Sequence, residues 1–281
     1  MIQDYTADAN LADIKLLATD MDLTLLADDN TQPQGMAQRV RALTQAGVVF
    51  CPASGRPGPT LQMAFPENVN DIAFCPDNGG DVIYRGKNIF RSLMDSALYQ
   101  RILGLATAQE NSVPVLCCFG TAYVLERHRA HHDALYKYYK DIRYVESFEG
   151  LAVDSDKTSI YFPAYDAEPS FRELYEPTFA SDVFITNAGR EWIDCMNLGV
   201  NKGSGIAHLC EHLGISLADA AAVGDTYNDI SMLEAVGHSF VVANAEEHMH
   251  AHAKYQVPSN NDRGVAVLID AILAAKGVKL D

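Results

Sequence analysis

The chain has 281 residues, 48% of them apolar, with 21 basic against 37 acidic side chains and a net charge of −16 at pH 7. That length allows a large core, with one domain plus an inserted one as the expectation. The charge opposes general affinity for a nucleic-acid backbone or an anionic membrane.

No apolar run approaches the roughly 20 residues that span a bilayer. Met1 to Asp13 lacks the basic start and apolar middle of a secretory leader, and the six cysteines lack metal-type spacing. A protein of the reducing cytoplasm is therefore expected, with neither nucleic acid nor membrane as partner. An anionic substrate would have to be drawn in by a bound cation or a few well-placed basic groups.

Ile14, Leu16 and Leu17 form an apolar run that reads as a buried strand and stops at Asp20-Met21-Asp22-Leu23-Thr24-Leu25. Extended backbone points alternate side chains the same way, so Asp20 and Asp22 can face one site. Carboxylates that close repel unless a cation or a shared proton lies between them. Taken alone, the pair reads as a strand ending in a polar turn with solvated acids.

Met36 to Gln45 reads as a helix with Val40 and Leu43 on one side and Gly47 as its stop. Val48 to Cys51 is a second strand, ending in Pro52-Ala53-Ser54-Gly55-Arg56. Strand, helix, strand at this spacing implies a parallel pair. The Ser54 hydroxyl and an unhindered Gly55 amide suit a phosphate oxygen. Arg56 is by default a surface residue or salt-bridge partner.

Ile72 to Phe74 gives a third run, followed by the turn Pro76-Asp77-Asn78-Gly79-Gly80 and a hairpin through Arg85-Gly86-Lys87. From there to about Gly189 the pattern changes. Helices at Leu98 to Ala108 and Ala130 to Tyr139 mix with strands at Val113 to Phe119, Ala122 to Leu125 and Lys157 to Phe162. This reads as an α+β unit inserted into the first domain, with residues 84–188 as the insert and 1–83 plus 189–281 as the core.

The first pattern then returns. Asn201 caps a helix that holds Lys202, with Ile206, Leu209, Cys210 and Leu213 on one face and Gly214 as its stop. Ala220 to Val223 is a short strand ending in Gly224-Asp225-Thr226-Tyr227-Asn228-Asp229, and Phe240 to Val242 is another. A helix from Val265 to Ala275 closes the chain. The fold expected is α/β, a doubly wound, mainly parallel sheet whose polar strand ends meet in one crevice.

As an ordered set, Asp20-Met21-Asp22-Leu23-Thr24, Ser54-Gly55-Arg56, Lys202-Gly203 and Gly224-Asp225-Thr226-Tyr227-Asn228-Asp229 resemble the four motifs of the haloacid dehalogenase (HAD) superfamily. Nearly the whole chain resembles its Cof-type sugar-phosphate phosphatases, which carry a large α/β cap (type IIB) on a Rossmann-like core. Asn78-Gly79-Gly80 and Arg263-Gly264-Val265 match further segments of that pattern. Thr226 departs from it, standing where Cof-type members usually carry glycine.

The resemblance implies a Mg²⁺-dependent phosphatase of small phosphate esters. Asp20 would attack phosphorus to give an aspartyl-phosphate, while Asp22 would protonate the leaving group and then activate water. Mg²⁺ would be held by Asp20, the Asp22 carbonyl, Asp225 and Asn228, with Asp229 orienting Lys202 or water ligands. Ser54, Gly55 and Lys202 would hold the phosphoryl oxygens, and Thr24 would fix the loop by local hydrogen bonds. A HAD-type phosphohexomutase is the alternative enzyme. A non-catalytic phospho-acceptor module resembling response-regulator receivers is the alternative of another class, but receivers lack the second carboxylate and the insert.

Other features carry less. His248, His250 and His252 read as a solvated face rather than a metal site, and His128, His131 and His132 as a surface helix face. Trp192 reads as core rather than as a ligand platform.

Overall fold

The computed structural model describes residues 2–280. Its central sheet has six strands in the order Gln3–Asp4, Tyr255–Val257, His238–Val242, Ala220–Gly224, Leu16–Thr19 and Val49–Pro52. Every pairing in it is parallel. Leu16–Thr19 is buried throughout, as a strand covered on both faces must be. Its alternation feeds two cores. Leu17 packs with Phe50, Leu268 and Ile272 on one face, and Leu16 and Ala18 pack with Cys51, Ile206 and Leu209 on the other.

From Leu16–Thr19 the chain moves one way to Val49–Pro52 and later returns on the other side to Ala220–Gly224. The order of strands therefore reverses at Leu16–Thr19, and the crevice at their carboxyl ends is where such sheets bind ligands. A small antiparallel sheet of Ala73–Phe74, Asp81–Tyr84 and Lys87–Arg91 extends this edge through a parallel bridge between Ala53 and Cys75.

Helix Lys202–Leu213 begins at an Asn201 capping box with Ser204 and ends at Gly214, φ +65°. Its start lies hard against the turn after Ala73–Phe74. A Cβ on Gly79 (φ +91°) would come within 2.3 Å of the Asn201 carbonyl oxygen. Only glycine permits that approach, which seats Lys202 beside the crevice.

A second six-stranded sheet stands apart as the cap, in the order Val183–Ala188, Trp192–Asn197, Lys157–Tyr161, Val113–Cys118, Thr121–Leu125 and Asp141–Val145. Its pairs are antiparallel except the last. Helix Ser96–Ala108 packs on one face through Tyr99, Ile102 and Leu103. Trp192–Asn197 belongs to this sheet, whereas Lys87–Arg91 pairs with the small sheet beside the core. The expected helix Ala130 to Tyr139 is a 3-10 segment, Glu126–His131, running into the short α-helix His132–Tyr136. Among the described residues no helix is long and apolar enough to cross a membrane.

Candidate active site

Asp20 leaves the carboxyl end of Leu16–Thr19 with its N–H donated to the Val223 carbonyl (2.9 Å), so the neighbouring strand fixes its backbone. Beyond it the chain turns at Leu23, φ +59°. The Lys202 Nζ donates to Asp20 Oδ1 (2.5 Å) and to Asp229 Oδ1 (2.6 Å), and both Lys202 and Asp229 are fully buried. The other Asp229 oxygen accepts the N–H groups of Asp225 (2.9 Å) and Thr226 (3.1 Å). One side chain thus ties the lysine to the loop carrying Asp225. Thr24, expected to act locally, instead donates across to Asp225 Oδ1 (2.5 Å).

Asp22 and Asp20 both line the same cavity, but they find different partners. Asp22 is half-exposed and is gripped by Arg56 through Nε (3.0 Å) and a second guanidinium nitrogen. The Ser54 hydroxyl is buried and accepts the Arg56 N–H (3.1 Å). Gly55 lies where a Cβ would press on Asn78 at 3.3 Å. Asn228 Nδ2 donates to Asn78 Oδ1 (3.0 Å), and its own Oδ1 is buried without a hydrogen-bond partner.

Among the described residues, Asp20, Asp225 and Asp229 form the one group of three carboxylate, imidazole or thiolate ligands whose atoms lie within 4.8 Å of one another. Burial pushes the Asp20 carboxyl well above the usual carboxylate range against the pull of Lys202, and the Asp229, Asp225 and Asp22 charges push the same way as burial. Burial and then the Asp229 charge push Asp225 up to about 7, with the Thr24 hydrogen bond and Lys202 opposing. Burial alone would depress the Lys202 ammonium, but Asp20 and Asp229 raise it on balance.

A hard divalent cation fits this cluster. Its donors are all oxygens, the crowded acids are protonated too readily for lack of positive charge, and Asn228, with its unpartnered Oδ1, lines the same cavity.

The cavity holds about 280 Å³ between core and cap, with Asp20, Asp22, Ser54 and Asp225 on its floor. Tyr138, Arg190, Glu191 and Trp192 form the cap-side wall. Trp192 is buried, packs against Tyr138 and Tyr161, and also lines the cavity. The expected histidine faces lie elsewhere. His248 stacks on Tyr227, His252 meets Glu234, and His132 meets Tyr144.

The sequence of the chain from residue 17 to 269 matches the model of the haloacid dehalogenase-like hydrolases. The chain belongs to that family. A 5-amino-6-(5-phospho-D-ribitylamino)uracil phosphatase of Escherichia coli, YbjI, is 31% identical over 92% of this chain and 96% of its own length. An HMP-PP phosphatase of Serratia proteamaculans is 26% identical over 82% of this chain and 84% of its own. The crystal structure of SMU.1108c from Streptococcus mutans superposes with a TM-score of 0.85 at 23% identity, covering 93% of this chain and 99% of that one. This HAD-like chain is an enzyme, a phosphoric monoester hydrolase.

Sequence reasoning missed two members of the site's surroundings, Lys157 and Asp194, both buried and both lining the cavity. The available signal was a charge of each sign within two otherwise uncharged strands, Lys157-Thr158-Ser159-Ile160-Tyr161 and Trp192-Ile193-Asp194-Cys195-Met196.

Proposed function

We propose that this HAD-like hydrolase is a Mg²⁺-dependent phosphatase of small phosphorylated metabolites, working through an aspartyl-phosphate on Asp20. The observation that carries the reading is the pairing of Lys202 with Asp20 at 2.5 Å at the edge of an all-oxygen carboxylate cluster. Lys202 aims the Asp20 carboxylate and opposes the burial that favours its protonation, and its ammonium stabilises negative charge on the phosphoryl group as it transfers.

Asp20, Asp225, Asn228 and the Asp22 carbonyl would hold Mg²⁺, which would supply positive charge between the two anions. Ser54 and the backbone amide of Gly55 bind phosphoryl oxygens. Asp22, paired as a carboxylate with Arg56, takes a proton from the attacking water and passes it to the leaving oxygen of the next ester. Asp229 acts through Lys202 and the Asp225 loop.

The cap roofs a cavity of about 280 Å³, which suits one small ester and excludes water from the transfer. For the domain division we propose that the chain crosses into the cap near 92–95 and back near 197–201. This reading is supported by Asn197, which donates to the Ser92 hydroxyl and the Leu93 carbonyl (2.8 Å each) and so pins the two crossings together.

The substrate class we propose is a small phosphorylated metabolite, the named relatives being phosphatases of 5-amino-6-(5-phospho-D-ribitylamino)uracil and of HMP-PP. The test is phosphate release from a panel that includes 5-amino-6-(5-phospho-D-ribitylamino)uracil, hexose phosphates and p-nitrophenyl phosphate, each with and without Mg²⁺. Release from at least one ester that requires Mg²⁺ is the expected result. No Mg²⁺-dependent release from any of them would overturn the proposal.

A further inference from the structure

A second assembly of buried charge, centred on Lys157, joins cap to core. The Lys157 side chain, 1% exposed, comes from the cap strand Lys157–Tyr161 and donates to the Gly55 carbonyl (2.7 Å). Its Nζ also lies 3.3 Å from Asp77 Oδ1 and 3.5 Å from Asp194 Oδ2. Asp156, equally buried, sits beside Asp77.

Asp194 is on the neighbouring cap strand, directly across from Ser159. Its Oδ1 accepts from the Ser159 hydroxyl (2.5 Å) and its Oδ2 from Asn78 Nδ2 (2.9 Å). Asn78 in turn receives the Asn228 amide at 3.0 Å.

Two lines of contact therefore run from the cap into the core loops. In the first, the peptide joining Gly55 to Arg56 is held at both ends. Its carbonyl accepts from Lys157, and its N–H donates to the Ser54 hydroxyl. That peptide sets where the Arg56 side chain starts towards Asp22. In the second, Asp194, Asn78 and Asn228 form an unbroken side-chain bridge to the loop after Ala220–Gly224. A buried ion cluster is poor value for stability, since well-packed apolar residues do as well. What apolar residues cannot do is fix the direction of a carbonyl or an amide.

We infer that Lys157 and Asp194 are positioning residues by which the docked cap completes the phosphate site, Lys157 setting the Ser54-Gly55-Arg56 loop and Asp194 setting Asn228 through Asn78. Neither is paired with Asp20, Asp22 or Lys202; their partners are Gly55, Asp77, Ser159 and Asn78. The loops take their working geometry when the cap is seated, so capture of substrate under the cap and assembly of the site are one event. This inference rests on the phosphatase reading.

The test uses the full chain and the variants Lys157→Met, which keeps the length and removes the donor, and Asn78→Gly, which cuts the bridge at a residue whose φ of +52° suits glycine. For each, kcat and KM are measured with p-nitrophenyl phosphate, the affinity for inorganic phosphate by calorimetry, and Tm by scanning calorimetry. Outer contacts of this kind are worth about 10–100-fold in activity or affinity. Both variants are expected to lose kcat within that range, with phosphate binding about tenfold weaker in Lys157→Met.

A purely structural role would lower Tm and leave kcat and phosphate affinity of the folded fraction within twofold of the parent, and that result overturns the inference. If Lys157→Met does not fold, Asn78→Gly decides alone by the same criteria. Should the parent hydrolyse no ester at all, the phosphatase reading has failed, while the phosphate affinities still judge the positioning.

Discussion

The Arg56 guanidinium grips both carboxylate oxygens of Asp22 from a loop 34 residues along the chain. Two parallel N–H donors fix the plane of a carboxylate as well as its place. Asp22, half-exposed at the cavity floor, would otherwise swing freely. We therefore predict that Arg56→Ala impairs protonation of the leaving group and spares attack at phosphorus. An alkyl phosphate, which needs its leaving oxygen protonated, should lose about 10–100-fold in kcat. p-Nitrophenyl phosphate, whose leaving group departs unaided, should lose several-fold less. Equal losses on both substrates would refute the division.

Asp20→Asn tests the nucleophile. The amide occupies the same volume but cannot attack phosphorus, so phosphate release should fall by about 10³-fold or more. Because burial already penalises the ionised Asp20 carboxyl, removing its charge should leave Tm within a few degrees of the parent. A variant that keeps more than a tenth of parental turnover would exclude Asp20 as the nucleophile.

The core of the fold was legible because its signals are local. Each apolar run ends in its own polar cluster, and the Asn201 cap and the Gly214 stop sit beside the helix they bound. The contact between Lys202 and Asp20 spans 182 positions in the chain, so geometry joins what local pattern only sets side by side. Lys157 and Asp194 escaped notice because a charged side chain in a strand is read as solvated, and only cross-strand pairing buries them against opposite charge. The strand Gln3–Asp4 is two exposed residues with no apolar periodicity, ordered by pairing with Tyr255–Val257. Helical spacing over Ala130 to Tyr139 was real, but only His132–Tyr136 of it is α-helical, entered from the 3-10 segment Glu126–His131.

Gly79 gives a test of the close approach that seats Lys202. Alanine there would place a Cβ 2.3 Å from the Asn201 carbonyl oxygen at a φ of +91°, combining overpacking with backbone strain. We predict a loss of about 2–4 kcal/mol in denaturant unfolding. Gly47 is the control, since it has a similar φ of +77° with nothing within 4 Å of the added Cβ. Gly47→Ala should cost only about 1 kcal/mol, and equal losses at the two sites would show that the approach to Asn201 is not tight.

Acid should stabilise the metal-free protein, which is the reverse of ordinary carboxylate behaviour. An aspartate normally titrates at 3.8, and in the folded chain Asp225 does so at about 7. Between those values the unfolded chain has released its proton while the folded chain keeps it. The folded state then binds more protons, so its stability falls as pH rises through this window. Burial pushes Asp20 in the same direction. A divalent cation seated among these acids replaces the missing positive charge, and ligand that binds only the folded state raises Tm by mass action. Scanning calorimetry after chelation should show Tm falling from about pH 5 to about pH 8. Adding Mg²⁺ should raise Tm at the upper pH by at least about 3 °C and have far less effect at the lower. A metal-free Tm that climbs over this range, or an equal Mg²⁺ gain at both ends, would mean that these carboxyls are neither crowded nor cation-binding.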